Sequence, residues 1–224
     1  MVMADTSFGR ITRAGRRAVL DFTLPLPLAA LRPVLYVFLL LRQAYYFLFR
    51  VFIAEPLFKA SCTSVGRNVR TGPFIQWVQG AGRIEIGDNV AFDGKCSFTF
   101  ASRYSDEPFL SIGSHSHIGH NTSFVIGRSV VIGESCQISS DVVIFDASGH
   151  PSDPAARLRG EPAPLESVKP VVIERNVWIG RRATIFPGVS IGENSVISAD
   201  AVVMNSVPAN SLMMGNPARR VATV

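Results

Sequence analysis

The sequence predicts an all-β solenoid, a parallel β-helix of hexapeptide repeats, preceded by a hydrophobic helical arm. Two in-phase rows of residues and one abrupt change of composition carry that expectation. Ile173, Ile179, Ile185, Ile191, Ile197 and Val203 place an aliphatic side chain at every sixth position. Four residues behind each stands a small or β-branched companion, in Val177, Ala183, Val189, Ser195, Ala201 and Val207. A period of six fits neither an α-helix nor a hairpin meander. It suits a chain that turns after every short strand and stacks each coil on the next.

The arm comes first in the chain. From Leu20 to Ala60 the only charges are Asp21, Arg32, Arg42, Arg50, Glu55 and Lys59. Uninterrupted apolar runs reach only about ten residues, half of what a spanning helix needs. One or two interfacial or re-entrant helices on a membrane surface are therefore expected over residues 1–60. The competing readings are a helix pair packed on the solenoid or at an oligomer interface, and a true span. Arg10, Arg13, Arg16 and Arg17 precede the apolar part and favour anionic headgroups on the cytoplasmic face. A secretory leader is disfavoured, because the apolar stretch lies deep and no small-x-small cleavage site follows it.

The solenoid is expected over residues 61–224, in roughly five coils. Upstream of the clearest repeats, Ile126, Ile132, Ile138 and Ile144 form one block, with Val130, Cys136, Val142 and Ser148 as their second row. Ile112 and Ile118 form another, offset by two residues, and Val65, Ile86, Phe92 and Phe98 a weaker one. Residues 99–111 and 146–170 are too polar, or too rich in proline, for ladder positions. They read as loops projecting from coil corners, where solenoids tend to build their working face.

Composition narrows the function classes. The 224 residues can bury one substantial core, which the solenoid and the arm use up. Nucleic acid is a poor partner for this chain: the net charge of +5 comes from scattered arginines, with no basic run interleaved with aromatics. Cys62, Cys96 and Cys136 show no pairing pattern and read as reduced, small core residues of a cytosolic compartment.

The segment PVVIERNVWIGRRATIFPGVSIGENSVISADAVVMNSVPANSLMMGNPAR, with HPSDPAARL upstream of it, resembles the hexapeptide-repeat acyltransferases of the maltose, galactoside and capsular-sugar O-acetyltransferase type. The resemblance covers residues 61–224 and leaves the arm outside. It implies a left-handed β-helix assembled as a homotrimer, active sites between neighbouring subunits, acetyl-CoA as donor and a saccharide hydroxyl as acceptor. Joined to the arm, it implies a lipid-linked or cell-surface glycan, modified at the cytoplasmic face of the inner (plasma) membrane.

An alcohol attacks a thioester well only while a base removes its proton, and imidazole suits that task near neutral pH. His150 lies in the 146–170 loop and is followed by Pro151, as in the family's catalytic motif. Asp146 and Asp141 are the candidates to orient it. Both also suit turns. By motif alignment the amide of Arg181, after Gly180, serves the oxyanion. Trp178 and Ala199 would line the pantetheine arm, and Arg181, Arg182, Arg219 and Arg220 the nucleotide phosphates. Ser198 and Asp200 flank Ala199 where relatives carry glycine.

His115, His117 and His120 raise a metal-dependent hydratase of the carbonic-anhydrase type as an alternative. Their spacing matches that pattern poorly, and no metal is expected. A non-catalytic scaffold is the third class, against which the histidine-bearing loop argues.

Overall fold

The computed structural model describes residues 15–16 and 18–224, and the chain divides into two compact units between Tyr45 and Tyr46. Of the arginine cluster only Arg16 lies among the described residues; Arg10, Arg13 and Arg17 lie outside them.

From Leu28 to Ala60 the arm is one continuous helical stretch, and the described residues 18–20 ahead of it are helical as well. Helix α1 (Leu28–Phe49) runs through a π-helical turn (Arg50–Ala54) into α2 (Glu55–Ala60). Pro33 lies inside α1, past its first turn, where it forgoes one i→i−4 hydrogen bond without ending the helix. The arginines that divide the apolar text do not break the helix. The Arg42 guanidinium lies over the Phe38 ring at 5.8 Å. None of the residues of α1 is buried, and Leu28–Ala60 is long and apolar enough to cross a membrane by length and composition.

At its end the helix changes role. Ala54 and Phe58 are buried, and the Phe58 ring lies 5.0 Å from Phe92 and 5.5 Å from Phe98, closing the first coil of the solenoid. Phe98 stacks in turn on Phe124 at 5.3 Å. The second unit includes this end of the helix, and Phe58 belongs to its core.

The solenoid is three-sided. Sheet A stacks β1 (Ser64–Val65), β3 (Arg83–Ile86), β6 (Phe109–Ile112), β9 (Ser129–Ile132), β12 (Val171–Ile173) and β15 (Ser190–Ile191). Sheet B stacks β4 (Ala91–Phe92), β7 (His117–Ile118), β10 (Gln137–Ile138), β13 (Trp178–Ile179), β16 (Val196–Ile197) and β18 (Ser211–Met214), with β19 (Arg219–Thr223) antiparallel at its end. Sheet C stacks β2 (Trp77–Gln79), β5 (Ser97–Phe100), β8 (Ser123–Ile126), β11 (Val143–Phe145), β14 (Thr184–Ile185) and β17 (Val202–Val203). The chain visits A, B and C in turn, making one coil more than the expected five, because the irregular first coil carries little of the hexad pattern.

Both rows of the repeat point inward. Ile173, Ile179, Ile185, Ile191, Ile197 and Val203 are buried, as are Val177, Ala183, Val189, Ser195, Ala201 and Val207. Small second-row residues fit because they sit under the tight corners. Buried hydroxyls there serve the backbone: Ser195 Oγ donates to the Pro208 carbonyl at 2.9 Å and accepts from the Ser211 amide at 3.2 Å. Ser148 departs from the row, since the chain has left the ladder by then and the residue is exposed.

Two corners carry ladders of left-handed residues. Asn89, His115, Ser135, Asn176, Asn194 and Asn210 follow one another at the A–B corner, and Asn121, Asp141, Arg182 and Asp200 at the B–C corner, all at φ between 55 and 63°. Asparagine and aspartate tolerate that conformation best among residues with a Cβ. The amides of Asn176, Asn194 and Asn210 are linked coil to coil at 2.9 and 3.0 Å. Of the two expected loops, 146–170 is bounded as read, between β11 and β12. The other is shorter, at 101–108, because Phe100 and Leu110 alternate inward and hold β5 and β6 in the ladder.

Candidate active site

The C–A corner carries the 146–170 loop, and its root is rigid. Asp146 is fully buried, and one carboxylate oxygen accepts from the Gly127 amide at 2.5 Å while the other accepts from Arg128 and Ser129 at 2.7 and 2.6 Å. Its carbonyl accepts from the Lys169 amide at 2.9 Å, closing the neck. Burial lifts the Asp146 carboxyl above the usual carboxylate range, while the three amides pull it down. Beyond the neck, Asp153 caps the short helix α3 (Pro154–Leu158), and Arg157 donates to the carbonyls of Pro151 and Ser152. His150 follows Gly149, whose φ is +81°, and its side chain is exposed. Tyr104, from the 101–108 loop, points its hydroxyl at the Gly149 carbonyl 3.5 Å away.

Asp146 therefore does not pair with His150 here. Its oxygens are committed to the strand-to-loop amides of the neighbouring coil, and no bond joins the two side chains among the described residues.

The remaining candidates gather on sheet B and the B–C corner. Asp141 accepts from Asn121 Nδ2 and from Arg181 Nε, each at 2.9 Å, and these two partners, the amide first, hold its carboxyl below the usual range. On the next coil Arg182 grips Asp200 with two bonds of 2.6 and 2.7 Å. Arg182 is thus engaged with a carboxylate. The amide of Arg181 donates to no acceptor among the described residues, nor does that of Ala199 on the coil above. Gly180 lies so close to Ala199 that a Cβ there would stand 2.5 Å from the Ala199 nitrogen. Trp178 projects outward from β13, about half exposed, in register with His117, Gln137 and Val196 on sheet B. Beside it a cleft of about 280 Å³ is lined by Asp93, His117, Gln137, Ser139, Ser140 and Trp178. Arg219 and Arg220 sit on β19, at the end of the same sheet.

Within one chain the candidates form two groups. His150 stands at the C–A corner, whereas Asp141, Trp178, Gly180, Arg181, Arg182 and Ala199 lie on sheet B and the B–C corner, with the width of sheet C between. The three other histidines separate: His115 occupies an A–B corner, His117 the face of sheet B with Nε2 2.7 Å from Asp93, and His120 the B–C corner. Sequence reasoning missed Asp93, Gln137, Ser139 and Ser140. Their one signal is position: Gln137, Ser139 and Ser140 are outward or corner residues of the coil next to Trp178, and Asp93 follows the sheet B strand three coils from it. Burial pushes the Cys62 and Cys96 thiols up to about 12 and raises that of Cys136, so none offers a thiolate near neutral pH.

Residues 170–204 match the family model described as the hexapeptide repeat of succinyl-transferase. An Escherichia coli K12 protein assigned to lipopolysaccharide biosynthesis as an O-acetyl transferase is 32% identical over 68% of this chain and 78% of its own length. The galactoside O-acetyltransferase of the same organism is 35% identical over 62% of this chain, and a Saccharomyces cerevisiae acetyltransferase relative is 42% identical over 51%. The chain spans 63% and 56% of those two relatives. Among solved structures, a Bacillus cereus N-acyltransferase in complex with dTDP-4-amino-4,6-dideoxyglucose and coenzyme A superposes with a TM-score of 0.60 at 25% identity, covering 75% of this chain and 88% of the other.

Proposed function

This chain belongs to the hexapeptide-repeat acetyltransferases, and we propose that it transfers an acetyl group from acetyl-CoA to a saccharide hydroxyl by direct attack. His150 takes the proton of the attacking hydroxyl as the new C–O bond forms. The amide of Arg181 stabilises the oxyanion of the tetrahedral intermediate, and the imidazolium returns the proton to the departing coenzyme A sulfur. The buried, protonated cysteines argue against an acyl-enzyme. Asp141, tied to Arg181, holds the corner that presents the oxyanion donor, and Trp178 flanks the pantetheine arm. Arg219 and Arg220 meet the nucleotide phosphates.

The observation that carries the reading is the pairing of an exposed histidine on a rigidly rooted loop with a face that offers free amides beside an exposed indole. Because they occupy different corners of one solenoid, we assign the complete site to two neighbouring copies, in a homotrimer. The galactoside and lipopolysaccharide relatives support a saccharide acceptor. The apolar helix Leu28–Ala60 supports presentation of that acceptor, as a lipid-linked or cell-surface glycan, at the cytoplasmic face of the membrane.

The test is mass spectrometry of membrane glycolipid extracts incubated with the full chain and acetyl-CoA. The expected product is a glycolipid heavier by one acetyl group. Binding of coenzyme A without any acetylated product would overturn the saccharide reading.

A further inference from the structure

The first three coils carry a second cleft, separate from the one beside Trp178. Outward positions of sheet C run in register through Ser97, Ser123, Val143, Thr184 and Val202, all of modest size. At the end of that row stands Trp77, 56% exposed. It walls a cleft of about 320 Å³ whose other sides are Lys95, Ser97 and Asn121. The Lys95 ammonium lies over the indole at 5.7 Å. Phe74, also exposed, sets its ring 5.9 Å from His120. The Lys95 amide donates to His120 Nδ1 at 3.2 Å, so a neutral His120 keeps its proton on Nε2 as an outward donor.

We propose that this cleft is a distal saccharide subsite, which binds a sugar unit of the acceptor several residues away from the one acetylated. A pyranose ring has a C–H face that packs on indole and an equatorial rim of hydroxyls, so it calls for an aromatic platform edged by amide, hydroxyl and ammonium groups. Trp77, Asn121, Ser97 and Lys95 supply that set. The placement fits an extended chain: Lys95, Asn121, Asp141 and Arg181 occupy successive coils along the B–C corner, and Asn121 is bonded to Asp141, which is bonded to Arg181. At ~4.8 Å per coil, the cleft lies about 14 Å from the candidate oxyanion donor. Several linked sugars bridge that distance. The inference rests on the saccharide-acceptor reading and narrows it to oligomeric or polymeric glycans.

The test uses the full chain, the Trp77→Ala variant and a printed array of oligosaccharides from single sugars to octasaccharides. Binding by the unaltered chain should strengthen with oligosaccharide length. Trp77→Ala should weaken binding of the long members roughly tenfold and leave single sugars unaffected. With a long acceptor that the enzyme acetylates, its KM should rise by the same factor while kcat and the KM for acetyl-CoA hold. Length-dependent binding without acetyl transfer would keep the subsite and sink the catalytic reading. Acetyl transfer with no length dependence, or with long acceptors indifferent to Trp77→Ala, would overturn the subsite. So would dissociation of the oligomer in Trp77→Ala at unchanged thermal stability, which would make this face a subunit contact.

Discussion

Asp146 and His150 are four residues apart and stand in different surroundings, one buried and one exposed. The Asp146 carboxylate satisfies three amides that the neighbouring coil exposes as it turns, so its replacement is a structural change. Asp146→Asn sets an NH₂ group against at least one of these donors and should cost about 1–3 kcal/mol, read as a lowered midpoint of thermal unfolding. Asp141 is partly exposed, and its effect is smaller. Its carboxyl is held below the ordinary aspartate range when folded, so the bonds to Asn121 and Arg181 contribute stability above the unfolded value and lose it as pH falls through the folded one. Asp141→Asn should flatten the acid side of the stability profile, and salt should shrink the difference between the two proteins. The sequence distinguishes these aspartates poorly. Both lie within three residues of β11, one before it and one after, and only the backbone path shows which carboxylate turns inward.

At the scale of elements, the hexad rows were legible because burial on a three-sided prism enforces them: every coil must fill the same narrow interior. The loop at 146–170 was legible for the opposite reason, since its prolines and charges fit no rung. The first coil and the end of the arm were not. Phe58 reads as one more apolar residue of a greasy helix, and its burial against Phe92 and Phe98 depends on packing across distant sequence. Phe58→Ala should therefore lower stability by about 3–5 kcal/mol, the scale of an aromatic cavity in a core, measured by denaturant unfolding of the β-rich signal. Removing residues 1–45 should leave the solenoid folded and able to bind coenzyme A, while abolishing flotation with anionic vesicles. A truncated protein that still floats would show that the arm is not the membrane element. The helix over Leu28–Ala60 falls within the expected one or two helices, and its arginines fit because a guanidinium on a long stem can lie along neighbouring rings without disturbing the backbone.

At the scale of the whole molecule, the candidate residues stand at two corners of one chain. A solenoid has no interior room for substrates, so its chemistry must lie on the outside, and in the proposed shared site a second copy would supply the wall that excludes water from the thioester. Sedimentation should give a trimer, and a stable, fully active monomer would contradict the shared site. The candidate residues were visible in the sequence as motifs, but their separation across sheet C was not, because hexad spacing fixes the face a residue occupies only after the coils are counted without error. The proposed function turns on His150 removing the proton of a saccharide hydroxyl that attacks acetyl-CoA. Saccharide-dependent release of coenzyme A by His150→Ala measures that step. A fall of roughly a hundredfold or more in kcat is expected, with coenzyme A affinity, oligomeric state and thermal unfolding unchanged, since the side chain is exposed and packs in no core. Near-normal turnover by the folded variant would contradict it.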